Sequence, residues 1–342
     1  MTTSTVTRGL ISMAMATFPM AGLAATAQVL PTVYEAGHFY ATPETVSGQN
    51  LRLLVDTGGG GGPSGLYWIT ADAAKRLHLE TRACKLPGYS ITVADLPVYQ
   101  AHRSLPPPPA NPCGKVVMVQ DNTPYNGSDG QFSGKYLYSK GIWTFDYPRR
   151  RLILQDQSWR PVPAAHATPL AFQRDEQGRT TQGYARITVR IDGRPTDMLL
   201  DTGATAHPTP AGEKATMIPT VNGFGVTSYI VRSVFERWHE DHPDWRVIED
   251  GDRMPGQKHP MPIIEVPKVE IAGWSVGPVW FTERPDRAFH GMMTSMMDRR
   301  VDGAVGGNVF RHFVMTIDYP RAVAYFRCIR TCTDVVTRPP AP

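Results

Sequence analysis

Beyond its N-terminal segment the sequence has no run of about 18 uninterrupted apolar residues, so a membrane-crossing helix is not expected. Charge of one sign is not in excess either. Lys and Arg total 35 against 31 Asp and Glu, for a formal net charge of +4, and "PRRR" (148–151) is the one conspicuous basic run. A nucleic-acid partner is therefore excluded from the expectations, and the run is read as a turn and edge-strand charge cluster that discourages sheet-edge pairing. The His-Glu-x-x-His signature is missing. His239 and His242 in "WHEDHPDW" are read as a solvated helix end and not as metal ligands. Cysteine is scarce, with four residues in the chain. Cys84 and Cys113 lie in the first half and Cys328 and Cys332 near the C-terminus, which predicts two local disulfides in an oxidising compartment. A four-cysteine zinc site competes on the short spacing of the last two, but it lacks a second close pair.

What is abundant is glycine and proline, 31 of each in 342 residues. That composition fits a β-dominated chain with many turns, and the length fits two domains. The N-terminus reads as an export signal: Arg8, the apolar "LISMAMATFPMAGLA", and the small-residue site at Ala25 to Ala27. Cleavage is expected after Ala27, giving a periplasmic or secreted protein. No cysteine sits at that site for lipid attachment, so no stable membrane anchor is expected.

The chain is internally duplicated. "TVSGQNLRLLVDTGG" and "VRIDGRPTDMLLDTGA" share an extended segment, a Gly-containing turn, an apolar strand and Asp-Thr-Gly, with Gly48 to Asp56 spaced like Gly193 to Asp201. The halves close alike, in "DGQFSGKYLYSKGIWTFDYPRRRLIL" and "DGAVGGNVFRHFVMTIDYPRAVAYF". Residues 69–80 and 228–241 have helical spacing. The expected division is a signal peptide over 1–27, a first lobe over 28–155, a linker and start of the second lobe over 156–182, a second lobe over 183–335 and a tail over 336–342. Met292, Met293, Met296 and Met297 are read as core or cleft lining ahead of a soft-metal site.

Two Asp-Thr-Gly loops in matched frames resemble those of the aspartic peptidases, both the retropepsin-like domains and the bilobal pepsin-like enzymes. The resemblance implies an all-β fold with short helices, two tandem retropepsin-like β-barrel lobes in a pepsin-like bilobal arrangement. It implies Asp56 and Asp201 as a catalytic dyad, Thr57, Gly58, Thr202 and Gly203 as its supports, and no metal or organic cofactor. Two carboxylates held close cannot both ionise easily, so the pair can divide acid from base work on a water attacking a peptide carbonyl. With both aspartates in one chain, a monomer acting on a peptide or protein substrate is expected. "AVG" at Ala304 to Gly306 fits the family's apolar-apolar-Gly motif. The first half departs from the pattern at Gly59, where Ser, Thr or Ala usually follows, and in "QFSG", where Ser133 or Gly134 falls at the packing glycine. Two alternatives stay open at this level: an active endopeptidase, or a non-catalytic peptide-binding or scaffold protein built on a degenerate protease fold. Tyr89, in "PGYSITVADLPVY", is the candidate for a substrate-covering flap.

Overall fold

The computed structural model describes residues 1, 27–60, 64–121, 127–254 and 257–335. The expected signal peptide up to residue 26 and the tail from 336 lie outside the described residues. Three large sheets carry the fold. In the first lobe an eight-stranded sheet centres on Leu53–Val55, three apolar residues that are all buried. In the second, a ten-stranded sheet centres on the end of Arg194–Leu200. The third sheet, of six strands, is built from both halves.

The duplication seen in sequence is a duplication of strand pairing. Leu53–Val55 runs parallel to Gly130–Phe132, which pairs antiparallel with Trp68–Thr70, itself parallel to Val116–Gln120. In the second lobe Leu199 and Leu200 run parallel to Gly303–Val305, which pairs antiparallel with Ser228–Val231, itself parallel to Val279–Arg284. Strand segments buried on both faces are apolar runs, as Leu53–Val55 and the Met198 to Leu200 end of the second aspartate strand are. The two lobes meet through the shared sheet, where Ile142–Asp146 lies antiparallel to Phe313–Asp318. Thr144 and Thr316 face each other there, with hydroxyls 2.8 Å apart, on a local two-fold axis.

Several expectations change at this level. The two helices are shorter than their spacing suggests, spanning Ala71–Arg76 and Arg232–Asp241. Ile69 and Thr70, and likewise Ser228 to Val231, are claimed by parallel strand pairing, a long-range contact that overrides the local pattern. Pro148 to Arg150 form the expected turn, but the strand that follows is not a sheet edge. Arg151 opens the strand Arg151–Gln155, which lies between Gln28–Val29 and Ile142–Asp146, and Arg149 and Arg151 both bind the buried Asp146, at 3.4 and 3.2 Å. Of the Pro- and Ala-rich connecting segment, His166–Pro169 forms the outermost strand of the shared sheet. Met293, Met296 and Met297 pack on the core, whereas Met292 is exposed. His242 caps its helix, stacks on Trp245 and pairs with Asp192.

The cysteines pair with one another as expected, Cys84 with Cys113 and Cys328 with Cys332. The first bond joins the hairpin of Thr81–Leu86 and Tyr89–Asp95 to the end of the proline-rich loop across 29 residues. By loop-closure entropy, a span of this size contributes roughly 3 to 4 kcal/mol.

Candidate active site

Each aspartate follows directly on a buried central strand. The Asp56 N–H donates to Phe132 O at 3.2 Å and the Asp201 N–H to Val305 O at 3.0 Å, so the same backbone bond fixes both loops. The carboxyls meet at the lobe interface, within hydrogen-bonding reach of each other, and are 8% and 7% exposed. Burial pushes both upward from the ordinary carboxylate range, most strongly Asp56, where the neighbouring Asp201 charge adds to it. They titrate as a pair.

The supports lock the loops reciprocally. Thr57 N–H donates to Thr202 Oγ1 at 3.1 Å and Thr202 N–H to Thr57 Oγ1 at 3.0 Å. Each hydroxyl then donates across the interface, Thr57 to Leu200 O at 2.6 Å and Thr202 to Val55 O at 2.7 Å. All four bonds are buried, and an unmet buried polar group costs about 1 to 3 kcal/mol, so neither loop can shift alone. Gly58 and Gly203 donate their N–H groups to the Oδ1 of their own aspartates at 2.8 and 2.9 Å. Neither position has room for a side chain: a Cβ on Gly203 would fall 2.1 Å from Asp56 Cγ, and one on Gly58 2.6 Å from Asp201 Cγ.

The two departures in the first lobe have a structural compensation. A Cβ on Gly59 would lie 2.2 Å from Asp56 Oδ2 and 1.7 Å from Gln131 Nε2. The space is filled instead by the Gln131 amide, which donates to Asp56 Oδ2. Gly59 thus makes room for a donor brought from the neighbouring strand. At the matching register the second lobe has Ala204 and Ala304, and beyond its partner carboxyl Asp201 is held by backbone N–H groups of Gly203 and Ala204. Ser133 sits at the register of Gly306. A Cβ on Gly306 would clash with Thr227 O at 1.9 Å, whereas Ser133 meets the equivalent carbonyl, Leu66 O, with its hydroxyl as donor at 3.2 Å. The same hydroxyl accepts from Tyr136 N–H and caps the following helix.

A cleft of about 390 Å³ opens above the pair. Its walls include Trp68, Gln120 and Gln131 from the first lobe and His207, Tyr229 and Arg284 from the second. The Tyr229 hydroxyl accepts from Thr205 N–H and donates to Thr205 O, bracing the second aspartate loop. His38, a buried first-lobe residue, reaches the same loop, with Nε2 3.3 Å from Ala204 O and 3.2 Å from Thr205 Oγ1. Burial lowers the His38 pKa to about 4, which keeps the ring neutral near neutral pH, and the Ala204 carbonyl, which can only accept, makes Nε2 the donor.

Tyr89 is not among the residues lining this cleft. It stands on the outer hairpin of the eight-stranded sheet and is 40% exposed, so the flap expectation is not met there. The sequence analysis missed His38, Gln131, Tyr229 and Arg284. Of these only Gln131 left a visible trace, as a polar side chain in "DGQFSG" where "DGAVGG" has alanine.

No family model and no curated protein sequence matches the chain. Among solved structures it is similar to the basic 7S globulin from soybean, at 11% identity and a TM-score of 0.44, over 88% of this chain and 94% of that one. It is also similar to conglutin gamma, a basic 7S globulin from lupine seeds, at 11% identity and 0.43, over 88% and 95%. A third likeness is to the aspartic proteinase from Irpex lacteus, at 11% and 0.45, over 91% and 99%. At these scores the likenesses carry no argument about the site. The chain's own architecture is β-rich and built of two lobes, with one aspartate loop from each.

Proposed function

We propose that this chain is an exported aspartic endopeptidase that hydrolyses peptide bonds with a water activated between Asp56 and Asp201. The observation that supports it best is the buried carboxyl pair, with raised pKa values, clamped by the reciprocal threonine bonds. One member keeps a proton while the other is charged. The charged carboxylate takes a proton from water as the water oxygen bonds to the substrate carbonyl carbon. The protonated carboxyl donates to the carbonyl oxygen, giving a neutral tetrahedral diol. Proton transfer to the amide nitrogen and cleavage of the C–N bond then release an amine and a carboxylic acid.

No step calls on a metal or an organic cofactor, and one chain supplies both carboxyls, so the active species is a monomer. Gln131 donates where a hydroxyl at position 59 is absent, which favours a working first lobe over a retired one. Two disulfides suit an oxidising, extracytoplasmic compartment. The test is digestion of a diverse peptide pool by the mature protein from acid to neutral pH, beside Asp56→Asn and Asp201→Asn. Each substitution is expected to lower cleavage by about a thousandfold or more. A folded wild-type chain that binds peptides and cuts none at any pH is instead a peptide-binding protein.

A further inference from the structure

The two walls of the cleft differ in charge at a matched position. Gln120 lies opposite Thr70 in the first lobe, and Arg284 lies opposite Val231 in the second. Those pairings are related by the internal duplication, and both side chains line the cleft. The first-lobe wall is therefore neutral where the second-lobe wall carries a guanidinium.

That guanidinium has no carboxylate of its own among the described residues. Its carbon sits 5.1 Å from the centre of the Tyr229 ring, and its Nε is buried without an acceptor. The two nearby acids are committed elsewhere. Asp252 accepts from His207 N–H at 2.7 Å and from the Thr282 hydroxyl at 2.8 Å, and Asp201 belongs to the carboxyl pair. Both feel the Arg284 charge without bonding to it. A half-buried guanidinium with open donors, stacked on an aromatic ring, is the group best suited to a carboxylate in two-point contact. Leaving such donors unmet is costly, and an arriving carboxylate would remove that cost.

We propose that the cleft selects peptides with an acidic side chain on the second-lobe side of the carboxyl pair, with Arg284 as the specificity-determining residue. The inference deepens the hydrolase assignment and rests on it for cleavage, though not for binding. Gln120, at the matched position on the other wall, offers an amide and gives no such preference there.

The experiment uses peptide pairs that differ only in Asp or Glu against Asn or Gln at successive positions around the cut. The kcat/KM ratio of acid to amide peptide is measured for the wild-type chain, Arg284→Gln and Arg284→Lys. We expect a preference of about ten- to hundredfold for the acid at one position, falling to near unity in Arg284→Gln and partly kept in Arg284→Lys. A wild-type ratio near unity overturns the inference. So does an Arg284→Gln chain that loses rate equally on both peptides with a shifted pH profile, since that makes Arg284 a charge balance for Asp201 and Asp252. The same peptides are titrated onto the Asp56→Asn chain, whose melting temperature reports folding. Acid-selective binding that disappears with Arg284→Gln, in a chain whose parent cuts nothing, upholds the specificity and rejects the hydrolase. Equal binding of both peptides rejects the specificity alone.

Discussion

The first and second lobes place their aspartates with the same backbone and support them with different side chains. Asp129 N–H donates to Arg52 O, and Thr70 N–H to Asp129 O; Asp302 N–H donates to Asp197 O, and Val231 N–H to Asp302 O. The frame is thus repeated bond for bond. Around it, Gln131 faces Asp56 where Ala304 stands in the second lobe, and Ser133 replaces Gly306. At one further matched register the first lobe sends His38 to the second lobe's loop, while the second lobe places Tyr184 against Gly134 of the first. The lesson is that the backbone fixes where the carboxyls lie, while nearby side chains set how each is hydrogen-bonded.

The lobes differ most consequentially at Gln131. Gln131→Leu removes a donor to the Asp56 carboxylate, and activity should fall about ten- to hundredfold. A donor favours the charged form, so its loss raises the lower pKa of the pair and moves the acidic limb of kcat/KM to higher pH. Gly59→Ser combined with Gln131→Ala should not recover the rate, because a Cβ at position 59 would still lie 2.2 Å from Asp56 Oδ2. A pH–rate profile of the three chains checks both points.

His38 offers the next largest effect, read as stability. Its pKa is about 4 in the folded protein against an ordinary 6.5, so the unfolded chain binds the extra proton between those values. Stability is therefore lost as pH falls from about 6.5 to about 4, by about 3 kcal/mol in total. The carboxyl pair acts in the opposite sense, since raised folded pKa values favour the protonated, folded state in acid. Urea unfolding of wild type and His38→Gln at several pH values separates the two. The difference between the chains should carry the His38 slope alone, and equal slopes would remove this role.

Thr57→Val and Thr202→Val test the reciprocal clamp. Each leaves a buried N–H and a buried carbonyl unmet and should cost about 1 to 3 kcal/mol, by similar amounts because the bonds are mirrored. The two hydroxyls share no bond but belong to one network, so a loss in the double variant that departs from the sum measures how far loosening one loop loosens the other. Chemical denaturation of the four chains gives the coupling. Ser133→Gly imposes the second lobe's residue on the first and should cost about 1 kcal/mol or less, because glycine is itself a tolerable helix cap. Thermal melting resolves that shift.

Much of the site was legible in sequence because the repeat is local. Apolar strands ending in Asp-Thr-Gly, at one spacing in both halves, name Asp56, Asp201 and their supports before any contact is known. The Asp-Gly motifs did the same for Asp129 and Asp302, as did Asp-Tyr-Pro-Arg for the shared sheet. The helix boundaries were not legible, since residues 69–70 and 228–231 have helical spacing but answer to strands far away in the chain. The significance of Gly59 was hidden for a related reason. A missing side chain is informative only when the atom that takes its place is known, and Gln131 lies 72 residues later.

Duplication, a β-rich chain and two matched aspartate loops can be read without any contact, because strand period, turn residues and motif spacing are properties of short segments. Which donors surround each carboxyl, the crossing of His38 between lobes, and the presence of Arg284 and Gln120 on two walls of one cleft are properties of the folded chain. Those relations depend on parallel pairing across long connections and on burial at the interface, where desolvation gives a hydrogen bond or an unpaired charge its weight.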